Sequence, residues 1–80
     1  MITAEKLTLL TSFPAFMLTE MAREADWDGP AFTGAKFLGI TNGGQFCYTV
    51  TFPVKGGTDS TKVFLTYDPT ADQVIADLDQ

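Results

Sequence analysis

Chemistry begins with side chains that can ionise, ligate or attack, and in this chain most of these are carboxylates. Ten Asp and Glu stand against five Lys and Arg, no His is present, and Cys47 is the single cysteine. A catalytic thiol needs a base beside it to become a thiolate. With no His to serve, Cys47 reads as a small packed or half-exposed strand residue. Ser12 and Ser60 are the only serines, and neither sits in a Gly-x-Ser-x-Gly turn, so they read as a helix cap and a loop residue. The lack of His, with one Cys, removes the usual zinc and transition-metal sites. Glu24, Asp26 and Asp28 come nearest to an oxygen cage for Ca²⁺ or Mg²⁺, but their spacing matches no established ligand loop. The run Gly56-Gly57-Thr58-Asp59-Ser60-Thr61-Lys62 has the glycines of a phosphate loop. It lacks the second Gly before Lys, places Val63 where Ser or Thr is needed, and leads into a strand pattern. A polar inter-strand loop accounts for it, and no enzyme activity, cofactor or metal is expected.

What remains is a group of carboxylates: Glu20, Glu24, Asp26 and Asp28, with Arg23 as the one basic residue among them. Glu20 and Glu24 are one helical turn apart and repel each other mildly, and the negative charge continues past the helix end, where it opposes the helix dipole. Such a cluster is tolerated on any solvated face. As a group these residues could also present spaced negative charge to a basic groove, and Asp72, Asp77 and Asp79 add a second acidic region near the C-terminus. Trp27, set between Asp26 and Asp28, either closes one end of the core or anchors an interface.

The elements that must carry these groups follow from length, composition and periodicity. Eighty residues make one domain, residues 1–80, close to the lower limit for a core without disulfides or metal. Seven Phe, two Tyr and one Trp, with 45% hydrophobic residues overall, supply that core largely through aromatic burial. A net charge of −5 repels phosphate backbones and disfavours direct nucleic-acid binding, leaving a basic protein surface as the natural complement. A lone cysteine suits a reducing compartment. No signal peptide is read at the N-terminus, and no apolar run approaches the ~20 residues of a membrane helix. A cytoplasmic protein without membrane contact is expected.

Thr3 caps a helix over residues 4–10. Ser12, with Pro14 in the first turn, starts a second whose apolar side holds Phe13, Phe16, Met17, Met21 and Ala25. Gly29 and Pro30 stop it. Residues 35–41 form a strand with Lys36, Leu38 and Ile40 on one face and Ala35, Phe37 and Gly39 on the other. Asn42-Gly43 predicts a type I′ hairpin into the clearest strand of the chain, residues 45–54, where Phe46, Tyr48, Val50, Phe52 and Val54 alternate with polar or small residues. Pro53 places the far end of that strand on an edge or a bulge. Residues 55–61 read as a loop and residues 62–67 as a strand. Residues 71–78 fit a helix through Ala71, Val74, Ile75 and Leu78, or a short β-branched strand, the latter being preferred. The expected architecture is α+β: one or two N-terminal helices on an antiparallel meander of three or four strands. Phe46, Tyr48, Val50 and Phe52 should meet Phe13, Phe16, Met17 and Met21, while Cys47, Thr49 and Thr51 line a partly wet face.

In size, acidity, cysteine poverty and lack of a catalytic set, the chain resembles the small phage-encoded inhibitors of bacterial defence, anti-CRISPR proteins among them. The resemblance spans the whole chain as a profile, carries no motif and transfers no residue. It implies a non-enzymatic, protein-binding inhibitor acting in the cytoplasm of a bacterial host. One mechanism it implies is charge mimicry, with carboxylates filling the basic nucleic-acid channel of a partner such as a CRISPR surveillance complex. Here that role would fall to Glu20, Glu24, Asp26 and Asp28, with Trp27 beside them. The alternative is a structural or accessory module: a phage assembly component, or a domain similar to PepSY propeptide modules, which the strand-turn-strand pattern of residues 62–78 resembles.

Overall fold

The computed structural model describes residues 2–78. Two helices, α1 (Ala4–Leu10) and α2 (Ala15–Glu24), precede four strands, β1 (Gly34–Ile40), β2 (Phe46–Val54), β3 (Gly57–Asp68) and β4 (Gln73–Leu78). The strands form one antiparallel sheet in the order β1-β2-β3-β4. The expected α+β meander is the observed fold, with two separate helices and a strand at residues 73–78.

Thr3 caps α1, its hydroxyl accepting the N–H of Lys6 at 3.1 Å. The chain breaks at Pro14, which is the N-cap of α2 rather than a residue of its first turn, and no side chain caps that end. Ser12 instead belongs to the end of α1, its hydroxyl donating to the Thr8 carbonyl at 2.6 Å. This break corrects the predicted apolar stripe. Phe13 lies before the helix and sets no phase for it, so the spacing from Phe13 to Phe16 carries no helical meaning. The buried face of α2 is Leu18, Thr19 and Ala22, flanked by Ala15, Met17, Met21 and Ala25, while Phe16 points outward at 68% exposure.

The core joins Leu10, Phe13, Leu18, Ala22 and Phe32 to Phe46, Tyr48, Val50 and Phe52 of β2, Val63 and Leu65 of β3 and Ala76 of β4. Two buried hydroxyls tie the layers together. Tyr48 accepts the N–H of Phe13 and donates to the Leu10 carbonyl. Thr19 donates to the Ala15 carbonyl and accepts the N–H of Phe32, both at 2.9 Å. Among the described residues no buried side-chain nitrogen or oxygen lacks a partner, as burial of polar groups requires.

The sheet departs from expectation at its turns. The β1–β2 connection is not a type I′ turn. Gly44 N–H bonds to the Thr41 carbonyl at 2.9 Å, Thr41 N–H to the Gln45 carbonyl at 2.8 Å, and the left-handed residue is Gly44 (φ 81°), not Asn42 or Gly43. This is the three-residue hairpin loop, a turn followed by one left-handed position that glycine occupies freely. A register shift between Phe37 and Gly39 brings Ile40 opposite Phe46, so Ile40 does not continue the face of Lys36. The predicted loop at residues 55–61 is strand: β3 starts at Gly57, and Lys55-Gly56 alone make the turn, Gly56 taking φ 88°. Polar side chains misled here because residues 57–60 are themselves exposed on both faces, while the buried Phe52 opposite Asp59 belongs to β2. Pairing of β1 with β2 begins only at Gly34–Thr51, so β2 is a free edge where Pro53 stands, as its missing N–H demands.

The face away from the helices carries Lys36, Thr49 and Lys62 in one register row. Thr49 and Thr51 are half-buried, as expected, but Cys47 is buried. It sits opposite Gly39 on one side and Phe64 on the other.

Candidate functional site

Of the expected site residues, Glu20 lies on the outer side of α2, Glu24 on its flank toward β4, and Asp26 and Asp28 on the turn that follows. Glu20 and Glu24 are exposed on the helix, and Asp26 and Asp28 are exposed beyond it. Helix α2 does not stop at Gly29. After the C-cap Ala25, Asp26 adopts φ 69°, Asp26 N–H bonds to the Arg23 carbonyl at 3.1 Å and Trp27 N–H to the Ala22 carbonyl at 2.9 Å. These are the two bonds of a Schellman cap, with aspartate in the left-handed position that glycine normally takes.

Trp27 fixes the turn to the core. Its ring meets Phe52 edge-on at 5.0 Å between centroids and Phe32 at 5.3 Å, and the indole N–H donates to the Pro30 carbonyl at 2.9 Å. Gly29 serves a close approach: a Cβ there would lie 2.5 Å from Cζ2 of Trp27. Of its two predicted roles, the structure gives Trp27 the closing of the core end, and the ring keeps a half-exposed margin beside Asp26 and Asp28.

Arg23 does not neutralise its acidic neighbours. Its guanidinium donates to the Gly29 carbonyl at 2.7 Å and the Trp27 carbonyl at 3.3 Å, bracing the turn against the last helical turn, where a cation also complements the dipole. Among the described residues none of Glu20, Glu24, Asp26 and Asp28 forms an ion pair. Lys36 and Lys62 sit on the far face of the sheet, away from these carboxylates, and share that face with Asp77 of β4.

The second acidic region predicted from sequence is not a unit. Asp72 is engaged: its Oδ1 accepts from the Tyr67 hydroxyl at 2.7 Å and pairs with Lys6 Nζ at 3.0 Å, while Lys6 also lies over the Tyr67 ring. The bond from Tyr67, then the Lys6 ammonium, holds the Asp72 carboxyl below its ordinary range. The same contacts raise Lys6 and Tyr67. Asp77 stands apart on β4, opposite Phe64, and Asp79 lies outside the described residues. Among the described residues no three His, Cys, Asp or Glu side chains are grouped to hold a metal ion.

Sequence reading did not find a groove of about 380 Å³ between α2 and β4, lined by Met21, Glu24 and Ala25 and by residues 73–76. The sequence shows one wall only: residues 73–78 form a strand pattern containing neither Pro nor Lys, and nothing in it places α2 alongside. No protein-family model, curated protein or solved structure matches the chain.

Proposed function

We propose that the protein is a non-enzymatic, protein-binding inhibitor that sets the carboxylates of Glu20, Glu24, Asp26 and Asp28 into a basic, nucleic-acid-binding groove of a partner complex. The observation that carries this reading is the placement of Asp26. It holds a left-handed backbone position where glycine is favoured, and its carboxylate lies at the negative end of the α2 dipole. The backbone position favours glycine over the aspartate that holds it, the dipole opposes the charge, and no ion pair among the described residues offsets this. A negative charge kept there at local cost, continuous with three exposed carboxylates and braced by Arg23 and Trp27, suits charge presentation to a cationic partner. The partner we infer, from the kind of protein this chain resembles, is a CRISPR surveillance complex in the cytoplasm of a bacterial host. Occupation of its DNA channel would block target binding.

The test is target-DNA binding by purified surveillance complexes with and without the protein. The native chain should prevent DNA binding, and its grip should weaken as salt rises, because exposed charge pairs are screened. Replacement of Glu20, Glu24, Asp26 and Asp28 by Lys should abolish inhibition while circular dichroism stays unchanged. Undiminished inhibition by that folded variant would refute the reading.

A further inference from the structure

The two edges of the sheet are built differently. Sheet edges expose unpaired backbone N–H and C=O groups, and natural proteins guard them with lysine, proline or bulges. Strand β1 is guarded in this way, carrying Lys36 and the register shift at Phe37–Gly39. Strand β4 has none of these devices. Its sequence is Gln-Val-Ile-Ala-Asp-Leu, and its pairing with β3 runs without interruption from Asp68–Gln73 to Val63–Leu78. Every second residue of such an edge turns its N–H and C=O away from the sheet.

Beside this open edge lies the groove whose other wall is Met21, Glu24 and Ala25 of α2. Val74 is opposite Tyr67 and Ala76 opposite Leu65, so these two face the helix side, while Gln73, Ile75 and Asp77 alternate to the open side. Ile75 is 56% exposed there. Glu24 is the one charged residue lining the groove, and it is acidic. On the open side Asp77 is again acidic. A strand added to β4 would therefore meet apolar surface and a carboxylate on each of its two faces.

We infer that β4 and the α2 groove form a docking site for an extended segment of another protein, added antiparallel or parallel to β4, in which basic and small apolar residues are interspersed. Main-chain bonds to the free edge supply the adhesion, and the side chains supply the selection. Charge decides against a second copy of this chain: each copy carries −5, and the groove offers carboxylate to carboxylate. This site rests on the β4 edge and does not depend on the identity of the partner proposed above.

The experiment is a two-dimensional NMR titration and amide-exchange measurement on the intact chain, with a blocked peptide of alternating Lys and Val as probe and alternating Glu and Val as control. The Lys-Val peptide should shift and slow the exchange of amides in residues 73–78 and shift Met21–Ala25, and the Glu-Val peptide should not. Glu24→Lys should weaken the Lys-Val peptide by about tenfold. Ile75→Lys, which supplies the missing edge guard and lies outside the acidic cluster, should abolish slowed exchange while leaving the spectrum of the free protein otherwise native. Absence of binding at millimolar peptide, equal binding of both peptides, or shifts centred on Lys36 and Lys62 would overturn the inference. Protection of β4 amides that grows with protein concentration without peptide would overturn it in favour of self-pairing.

Discussion

The phenol of Tyr48, on the central strand β2, donates to the main-chain carbonyl of Leu10, the last residue of α1, at 2.6 Å. The same oxygen accepts the N–H of Phe13 at 3.1 Å, so one side chain satisfies both ends of the break between the helices. Replacement by phenylalanine keeps the ring and removes both partners at a buried place. Tyr48→Phe should therefore destabilise the chain by about 2–4 kcal/mol, because each stranded group costs about 1–3 kcal/mol and local relaxation recovers part of it. Urea denaturation should show a lower midpoint with the slope unchanged. A midpoint within error of the native chain would mean that these bonds contribute nothing net.

Stability should fall at both ends of the pH scale, through different groups. Burial raises the Tyr48 phenol against the lowering pull of the Phe13 N–H, and Tyr67 and Lys6 are raised by their bonds to Asp72. A raised folded-state value means stability that is complete below the ordinary value and lost as pH climbs through the folded one, so the decline begins near about pH 10. Asp72 is lowered, chiefly by the Tyr67 hydroxyl and then by Lys6. Its contribution is present above the ordinary carboxylate range and is lost as pH falls below about 4. Thermal midpoints across pH 2 to 11 check this. Asp72→Asn should make both the acid and the alkaline limb shallower, and Tyr48→Phe should make the alkaline limb alone shallower.

Phe16 and Leu18 reverse the ranking that spacing alone assigns them. Leu18 is fully buried and Phe16 is 68% exposed. Leu18→Ala should cost about 2–5 kcal/mol, by lost burial and the cavity left behind, whereas Phe16→Ala should stay within about 0.5 kcal/mol. Denaturant midpoints of the two variants make the comparison. If both lose stability alike, the phase assigned to α2 is wrong.

This pair also marks how far the sequence could be read. The alternation of Phe46, Tyr48, Val50 and Phe52 names a buried face outright, because a strand offers only two faces and the large aromatic residues all fall on one of them. A ten-residue helix has a phase, and Pro14 reset it between Phe13 and Phe16, which no count of apolar residues reveals. The exposed arm from Gly57 to Ser60 escaped for the opposite reason: its strand is held by backbone pairing to β2 and leaves no hydrophobic pattern. The acidic group was legible as residue types. Its cap geometry was not, since Gly29 offered a stronger stop signal than Asp26, and the groove escaped because it forms only when α2 is laid beside β4.

Asp26 and Gly29 should respond in opposite directions to exchange of their characters. Asp26→Gly places the preferred residue at the left-handed position of the Schellman cap and removes a carboxylate from the negative end of α2, so it should stabilise by about 1 kcal/mol. Gly29→Ala drives a Cβ to 2.5 Å from the Trp27 ring. That contact must displace an indole locked by Phe32, Phe52 and the Pro30 carbonyl, and the variant should lose about 1–3 kcal/mol. Trp27 is the only tryptophan, so its emission reports the site alone: the maximum should stay at its native position in Asp26→Gly and move to the red in Gly29→Ala. Under the charge-presentation reading, Asp26→Gly should also weaken inhibition while raising stability. Loss of partner binding in a more stable chain separates the carboxylate's contact with a partner from any part it plays in folding, and a gain in both would show that Asp26 is a helix-end residue and nothing more.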